Sequence, residues 1–288
     1  MERWPRAAAN WNASSNRHLT AMLSFPIPKI IWTVLRRPRP AAQARAEPPE
    51  YCSVLSSSLE RHGRTRKPRT SQARLKKYAH LPLLRDTLVP NLICVFVGMN
   101  PGIQTATAGH AYAHPSNHFW RLLHTSGCTD RLCLPEEDGD LPHLYAMGNT
   151  NLVGRPSRTT SELSKQEMAE GTPVLEDKIR IYKPEAVCFV GKGIWEAVWR
   201  WRYGCDPTKE EFKYGWQDES ENIGRSKDGI QGRDNRGRVW DGAKVFVATS
   251  TSGLAANLSM EEKKAIWSDL GVWVKRSREE RKQNNSDT

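Results

Sequence analysis

An asparagine closes an apolar run in the stretch VFVGMNPG, at residues 95–102. A plain connection from a strand to a helix needs the glycines of this stretch but has no use for the amide of Asn100. A neutral carboxamide can orient a water molecule through hydrogen bonds, although it is a poor acceptor of a proton. The alternative is that Asn100 caps the following turn, as asparagine often does. Taken by itself, the stretch favours capping.

Two other apolar runs also end in polar, turn-rich sequence. Residues 143–150 are followed by NLVGRPSRTT, and residues 244–250 are followed by TSGLAANLS. In open α/β sheets, ligands bind beyond the carboxyl ends of the strands. The topology therefore predicts that these two ends meet the end of the first run at one cleft.

Four apolar runs are expected to be buried parallel strands, at residues 92–98, 143–150, 186–191 and 244–250. Helical patterns lie between and after them, at residues 117–127, 161–184, 193–204 and 259–282. This alternation predicts an α/β fold, a three-layer α/β/α sandwich with a central, mostly parallel four-stranded sheet. Residues 206–242 interrupt the pattern with Gly, Asp, Lys and Arg, and they are predicted to be a mobile polar insertion.

The positive charge of the 288-residue chain is concentrated at its beginning. The whole chain carries a net charge of +11, residues 1–90 carry +12, and the remainder carries −1. Residues 1–77 are expected to be a basic, mostly disordered arm, followed by a folded domain at 78–275 and a charged tail at 276–288. Such an arm can contact phosphate groups through counterion release, or it can be a soluble tail or a targeting segment.

The arm leaves two locations open. The basic cluster RTRKPR at residues 64–69 is typical of nuclear localisation, which we expect. Residues 3–46 contain Arg and Lys but no acidic residue, so they also resemble a mitochondrial presequence. The apolar stretch at residues 19–35 is interrupted by two prolines and a lysine and is too short to span a bilayer. No membrane association is expected.

The cysteines and histidines do not form a metal-binding pattern. Cys128 and Cys133 are five residues apart and have no second pair at ligand spacing nearby, while His110 and His114 lack Cys or Glu partners. Paired carboxylates, a Ser-His-Asp triad and a phosphate-binding GxxxxGK are also missing from plausible positions. We therefore expect neither a metal nor a cofactor.

Three blocks of sequence carry a resemblance to a known family. GMNPGIQTATAGHAYAHPSNHFWRLL resembles the first signature of the mismatch-specific thymine/uracil-DNA glycosylases, in the uracil-DNA glycosylase superfamily. TNLVGRPSRTT resembles the second conserved segment of that family, and STSGLAANLS resembles its DNA-intercalating loop. GMNPG alone would be weak, but the blocks follow one another in the family's order over roughly residues 90–275.

The resemblance implies chemistry at the N-glycosidic bond, which breaks through an oxocarbenium-like sugar. Asn100 is then the catalytic residue and holds the attacking water. A base inside a duplex cannot reach such a pocket, so the enzyme must flip it out. The implied substrate-binding residues include Tyr112, which stacks on the base, and Asn151, whose amide contacts it; the full set is Met99, Gly102, Tyr112, Asn117 and Asn151.

The resemblance also implies a DNA wedge at Ser252, Gly253, Leu254 and Ala255. Leu254 is the plug that fills the hole left by the flipped nucleotide, because an apolar side chain can replace lost stacking. Relatives often place an arginine near the end of this loop, where this chain has Ala256. A weaker dependence on the base opposite is the expected consequence.

These implications define the main hypothesis, a monofunctional DNA repair glycosylase without cofactor. It would act as a monomer on double-stranded DNA with G·U or G·T mismatches and remove uracil, with thymine or modified pyrimidines as further substrates. The product would be an abasic site for downstream repair enzymes. Two alternatives stay open: a catalytically weak mismatch-binding module that recruits repair partners, and a nucleotide-binding α/β domain unrelated to DNA.

Overall fold

The computed structural model describes residues 77–226 and 232–286, so the predicted basic arm lies almost entirely outside the described residues. The strands are β1 (Cys94–Gly98), β2 (Met147–Asn151), β3 (Ala186–Val190), β4 (Gly215–Trp216), β5 (Gly232–Arg233), β6 (Val239–Trp240) and β7 (Lys244–Ala248). A five-stranded sheet forms the centre of the fold, with the strand order β2-β1-β3-β7-β4. Four of its strands are parallel, and β4 runs antiparallel to β7. Strands β5 and β6 form a separate hairpin.

Helices cover both faces of the sheet. The helices are α1 (Ile103–Ala108), α2 (Phe119–Thr125), α3 (Leu141–Tyr145), α4 (Lys165–Tyr182), α5 (Lys192–Tyr203) and α6 (Met260–Ser286). Alternate strand residues point to opposite faces, so Val95 packs into the apolar cluster beneath α4 and α5, and Phe96 packs into the cluster beneath α2 and α6. Among the described residues, no helix is long and apolar enough to cross a membrane.

The predicted three-layer α/β fold is confirmed, and the four predicted strands are the four parallel ones. The predicted number of strands in the sheet is too low by one, because β4 adds a fifth, antiparallel strand. The predicted start of the second strand is wrong, because residues 143–145 belong to α3 and not to β2. Pro142 stands in the first turn of α3, where proline suits a helix. Ala146 then ends the helix with a left-handed backbone, φ 52°, and only after it does the strand begin.

The insertion at residues 206–242 differs from the mobile polar segment that its composition predicts. It supplies β4 and the β5–β6 hairpin, and it buries Ile223 and Trp240 in the core beneath α4 and α5. Trp216 of β4 lies edge-on to Phe246 of β7, with ring centroids 5.0 Å apart. A few well-spaced apolar side chains therefore attach this polar segment to the sheet.

The opposite edge of the sheet is covered by the segment before β1. The backbone N–H of Thr87 donates to the carbonyl of Asn149 at 3.0 Å, and the Thr87 hydroxyl accepts from the N–H of Asn149 at 2.8 Å. Strand β2 is therefore hydrogen-bonded on its outer side as well as to β1.

The charged residues expected to form a tail continue α6 as far as Ser286. Arg278 donates to the carbonyl of Tyr145 at 2.9 Å. Arg281 donates to the carboxylate of Glu185 at 2.9 Å and to the carbonyl of Asn91 at 2.7 Å. These side chains reach across to the amino ends of the strands and dock the end of the helix on the domain.

Gly271, in the middle of α6, gives a test of this helix packing. A Cβ at position 271 would lie far inside van der Waals contact with the carbonyl oxygen of Ser126. Alanine normally stabilises a helix by up to about 1 kcal/mol relative to glycine, but overpacking costs about 1–3 kcal/mol. We expect Gly271→Ala to lower the free energy of unfolding in urea. Gly193→Ala in α5, whose Cβ would meet only Met99 at 3.6 Å, is the control and should be neutral or stabilising.

Candidate functional site

A cleft of about 580 Å³ opens at the carboxyl ends of the parallel strands. Nine of the ten predicted site residues line it, and they come from three loops and the end of β2: Met99, Asn100, Gly102, Tyr112, Asn117, Asn151, Ser252, Gly253 and Leu254. The tenth, Ala255, lines a neighbouring cavity of about 280 Å³ that shares Met99 with the cleft. The predicted convergence of strand ends is thus present.

The amide of Asn100 is held in one orientation by the loop that follows β2. Its Nδ2 donates to the carbonyl of Arg155 at 2.9 Å and to the hydroxyl of Ser157 at 2.8 Å. The Ser157 hydroxyl donates its own proton to the carbonyl of Thr159 in a hydrogen bond of 2.8 Å, so towards Asn100 it can only act as an acceptor. This network determines which amide atom is nitrogen, and it leaves Oδ1 of Asn100 without a protein partner among the described residues.

The same loop is attached to the end of β1 through its backbone. The N–H groups of Leu152 and Val153 donate to the carbonyls of Gly98 and Met99, both at 2.9 Å. Further along, the N–H of Ser157 donates to the carbonyl of Pro101 at 3.1 Å. Hydrogen bonds therefore run on both sides of Asn100, which is not the turn cap that its local sequence favours.

An ion pair holds Arg155, whose carbonyl accepts from Asn100, in place. The Arg155 guanidinium donates to both carboxylate oxygens of Glu167, at 2.8 and 3.0 Å, a bidentate geometry that fixes the orientation of both groups. Hydrogen bonding from Arg155 lowers the pKa of Glu167 below its ordinary value. Glu167 also belongs to the capping box of α4, where its N–H donates to the Ser164 side chain at 3.0 Å.

Tyr112 forms an aromatic wall of the cleft. Its ring stacks on Phe119 with centroids 3.8 Å apart and an interplanar angle of 11°. Tyr112 has a left-handed backbone, φ 55°, which is uncommon for an aromatic residue and requires support from its surroundings. Asp138 supplies part of that support, since its carboxylate accepts from the N–H of Ala111 at 2.6 Å and lies 3.0 Å from Nδ1 of His110.

The hydroxyl of Tyr112 is buried and has no hydrogen-bond partner among the described residues. Burial raises the pKa of Tyr112 well above its ordinary value, so the phenol stays neutral and keeps its proton. A Cβ placed on Gly98 would lie 3.3 Å from this hydroxyl and 2.5 Å from Oδ1 of Asn151. Glycine at position 98 thus leaves room for the tyrosine and the amide to approach the same point.

Asn117 lines the cleft and also supports α2. Its Oδ1 accepts from the N–H of Phe119 at 3.0 Å, so the side chain is held against the first turn of the helix. Its Nδ2 has no hydrogen-bond partner among the described residues and can donate to a ligand. Gly102 lies at the start of α1, and a Cβ there would find no atom within 4 Å, so this position is open to the cleft.

The loop at residues 252–255 presents one large apolar side chain to solvent, because Leu254 is 86% exposed. The loop backbone is nevertheless braced. A Cβ at Gly253 would lie 2.6 Å from the carbonyl oxygen of Ser116, so the two loops are in close contact. The largely buried Lys263 donates to the carbonyl of Ala255 at 2.7 Å.

The comparisons with known proteins agree with this geometry. The chain matches the Uracil DNA glycosylase superfamily over residues 86–271. The chain belongs to this superfamily. It is also 37% identical, over 201 residues, to the G/U mismatch-specific uracil DNA glycosylase of Schizosaccharomyces pombe. That match covers 66% of this chain and 55% of the yeast protein, so the chain spans little more than half the length of this relative.

Several residues that form the site of this superfamily member were not predicted from the sequence. Arg155 and Ser157 hold Asn100 through a contact between two loops, which no local sequence pattern predicts. Asn149 also lines the cleft, and it is the one signal that the sequence could have provided, because a large polar side chain interrupts a buried strand. Thr159 and Thr160, which the sequence left unassigned, lie on the cleft wall.

The Glu167 pKa predicts how pH affects the stability of this domain. Because the folded pKa lies below the ordinary value of 4.5, the ion pair stabilises the fold above about pH 4.5 and loses that contribution as pH falls through the folded pKa. We expect Glu167→Gln to lower the free energy of unfolding by about 1 kcal/mol at pH 7, the scale of a partly exposed pair. The difference from wild type should shrink below pH 4.5.

Thermal unfolding from pH 3 to pH 8 measures this difference. Glu170→Gln on the same helix is the control, since Glu170 accepts a hydrogen bond from the neutral Gln166. A Glu167→Gln effect that is as large at pH 3 as at pH 7 would contradict the assigned role of the ion pair.

Proposed function

We propose that the chain is a monofunctional DNA glycosylase that removes uracil mispaired with guanine and leaves an abasic site. The observation that carries the proposal is the orientation of Asn100 at the cleft, whose Nδ2 donates to the protein and whose Oδ1 has no partner in the part of the chain that the structure describes. Superfamily membership and the name of the yeast relative support the same reaction. Thymine and modified pyrimidines opposite guanine are further proposed substrates.

In this mechanism Asn100 positions the nucleophile. Its free Oδ1 accepts a hydrogen bond from a water molecule on the face of the sugar opposite the base. The amide cannot take the proton from that water at neutral pH, so its contribution is orientation. The reaction then depends on a base that leaves readily and on hydrogen-bond donors that stabilise the departing negative charge. A slow enzyme is the expected result.

The stacked pair of Tyr112 and Phe119 receives the flipped base. One face of the Tyr112 ring is covered by Phe119, and the residue lines the cleft. A base that stacks on Tyr112 recovers part of the stacking energy that it loses on leaving the duplex. Asn151 beside Gly98 is positioned to contact its polar edge.

Leu254 is proposed to enter the gap that the flipped nucleotide leaves. An apolar side chain exposed to water costs free energy, and its insertion between stacked base pairs removes that cost. The basic arm at residues 1–77 is proposed to add contacts to DNA phosphates and to direct the protein to the nucleus. Double-stranded DNA with a G·U or G·T mismatch is the proposed partner, followed by enzymes that process the abasic site.

Asn100 gives the direct test of this function. On a duplex with a single G·U pair, wild-type protein should produce an alkali-labile site, and Asn100→Ala should slow its formation on the order of 100-fold. Asn235→Ala is the control, because Asn235 is an exposed asparagine whose amide donates to the carbonyl of Tyr182 at 3.2 Å, outside the cleft.

Alkali cleavage of a labelled strand measures base release. If wild type binds the G·U duplex but its strand breaks do not exceed those of Asn100→Ala, the glycosylase proposal fails. That outcome would leave mismatch binding without catalysis.

Leu254 gives an independent test of the wedge. We expect Leu254→Ala to weaken binding to the G·U duplex by roughly tenfold, since less apolar surface remains to fill the gap. Excision from single-stranded DNA, which has no gap to fill, should change little. Thermal stability should also stay constant because the side chain is exposed. Equal losses on single- and double-stranded substrates would contradict the wedge role.

A further inference from the structure

A second amide lies in the cleft wall, two residues before Asn151 on β2. Asn149 is only 3% exposed, and neither its Oδ1 nor its Nδ2 has a hydrogen-bond partner among the described residues. Its backbone is fully engaged, since its N–H and carbonyl both bond to Thr87. Only the side chain therefore remains without partners, although a buried amide normally finds them.

The strand register directs Asn149 to the face of the sheet that holds the aromatic wall. It pairs with Phe96 on β1, and Asn151 pairs with Gly98. Phe96 lies edge-on to Phe119, with ring centroids 5.3 Å apart, and Phe119 carries Tyr112. Since side chains two residues apart share a face, Asn149 and Asn151 both lie on the Tyr112 side of β2.

Packing alone does not explain an asparagine at this depth. Met147, two residues earlier on the same face, is fully buried in the apolar cluster. An apolar side chain of similar shape at position 149 would avoid burying an unpaired amide, and such a replacement is neutral or stabilising where no partner is lost. The buried Tyr112 hydroxyl is a second unpaired polar group beside the same part of the cleft.

The position of Asn149 matches one edge of a flipped pyrimidine. The glycosidic nitrogen N1 of the base must face Asn100, beyond the end of β1. The ring atom opposite N1 is C4, so the substituent at C4 points away from Asn100 and into the cleft, towards the body of the sheet. Asn149 lies inward of Asn151 by one strand repeat, which is about 6.6 Å.

We propose that Asn149 is a specificity-determining residue that hydrogen-bonds the polar substituent at C4 of the flipped pyrimidine. This inference rests on the proposed glycosylase function. The Asn149 amide can turn about its terminal torsion, so Nδ2 can donate to a 4-oxo group and Oδ1 can accept from a 4-amino group. The ligand class is therefore pyrimidines with a polar group at C4.

The test compares two bases that differ at C4 and, as a consequence, in whether N3 carries a hydrogen. Duplexes would carry uracil or 2-pyrimidinone, which has a hydrogen at C4, opposite guanine. Each base would be attached to 2′-fluoroarabinose, whose glycosidic bond resists cleavage, so that binding is measured without base release. We expect Asn149→Leu to weaken binding of the uracil duplex about tenfold and binding of the 2-pyrimidinone duplex less than twofold. Excision of ordinary uracil from G·U should fall in parallel.

A matched variant separates base recognition from a structural role. Thr172 in α4 is fully buried, and its hydroxyl also lacks a partner among the described residues. Asn149→Leu and Thr172→Val should both leave the melting temperature unchanged or higher, because each removes an unpaired buried polar group. Only Asn149→Leu should affect binding and excision.

The outcomes distinguish this inference from the function on which it rests. Equal weakening of both duplexes by Asn149→Leu, or a lower melting temperature with unchanged discrimination, would overturn the role of Asn149. No change in either duplex would overturn it as well. If wild type releases no uracil from an ordinary G·U duplex, the glycosylase proposal itself fails, and the inference fails with it.

Discussion

The hydrogen bonds from Nδ2 of Asn100 to the carbonyl of Arg155 and the hydroxyl of Ser157 are the constraint on which the site depends. They tie the loop after β1 to the loop after β2, and they leave a single amide oxygen for a ligand. Their acceptors are fixed in turn by the Arg155–Glu167 ion pair and by the bond from Ser157 to Thr159. A neutral side chain thereby gains a defined direction without any charge of its own.

The residues that meet at the cleft could be predicted from short motifs, because the strand ends of an α/β sheet bring them together. Leu254 lies 142 residues after Tyr112 in the chain, yet both line the cleft together with Asn100. Their supports could not be predicted in the same way. The contact of Asn100 with Arg155 joins residues 55 positions apart, and it depends on how two loops meet in space. The stacking of Tyr112 on Phe119 likewise requires a backbone conformation that residue type does not indicate.

The insertion shows why amino-acid composition can give a wrong prediction when a few side chains determine whether a segment packs on the fold. Residues 206–242 are mostly polar, and this favours a segment outside the fold. Trp216 and Trp240 nevertheless bury large aromatic surfaces, and such burial outweighs the polarity of the surrounding residues. Asn149 is the opposite case, a polar side chain that is buried in the central sheet. Its unpaired amide becomes apparent only once the neighbouring elements are in place.

The coverage of β2 by Thr87 has a consequence for the solubility of the domain. An uncovered edge strand offers a row of free N–H and carbonyl groups to any other extended chain. Here the segment before β1 occupies the outer side of β2, while the short antiparallel β4 occupies the outer side of β7. One border of the sheet is therefore partly covered by the chain itself, and the other ends in a strand of only two residues, which offers little backbone for pairing with another chain.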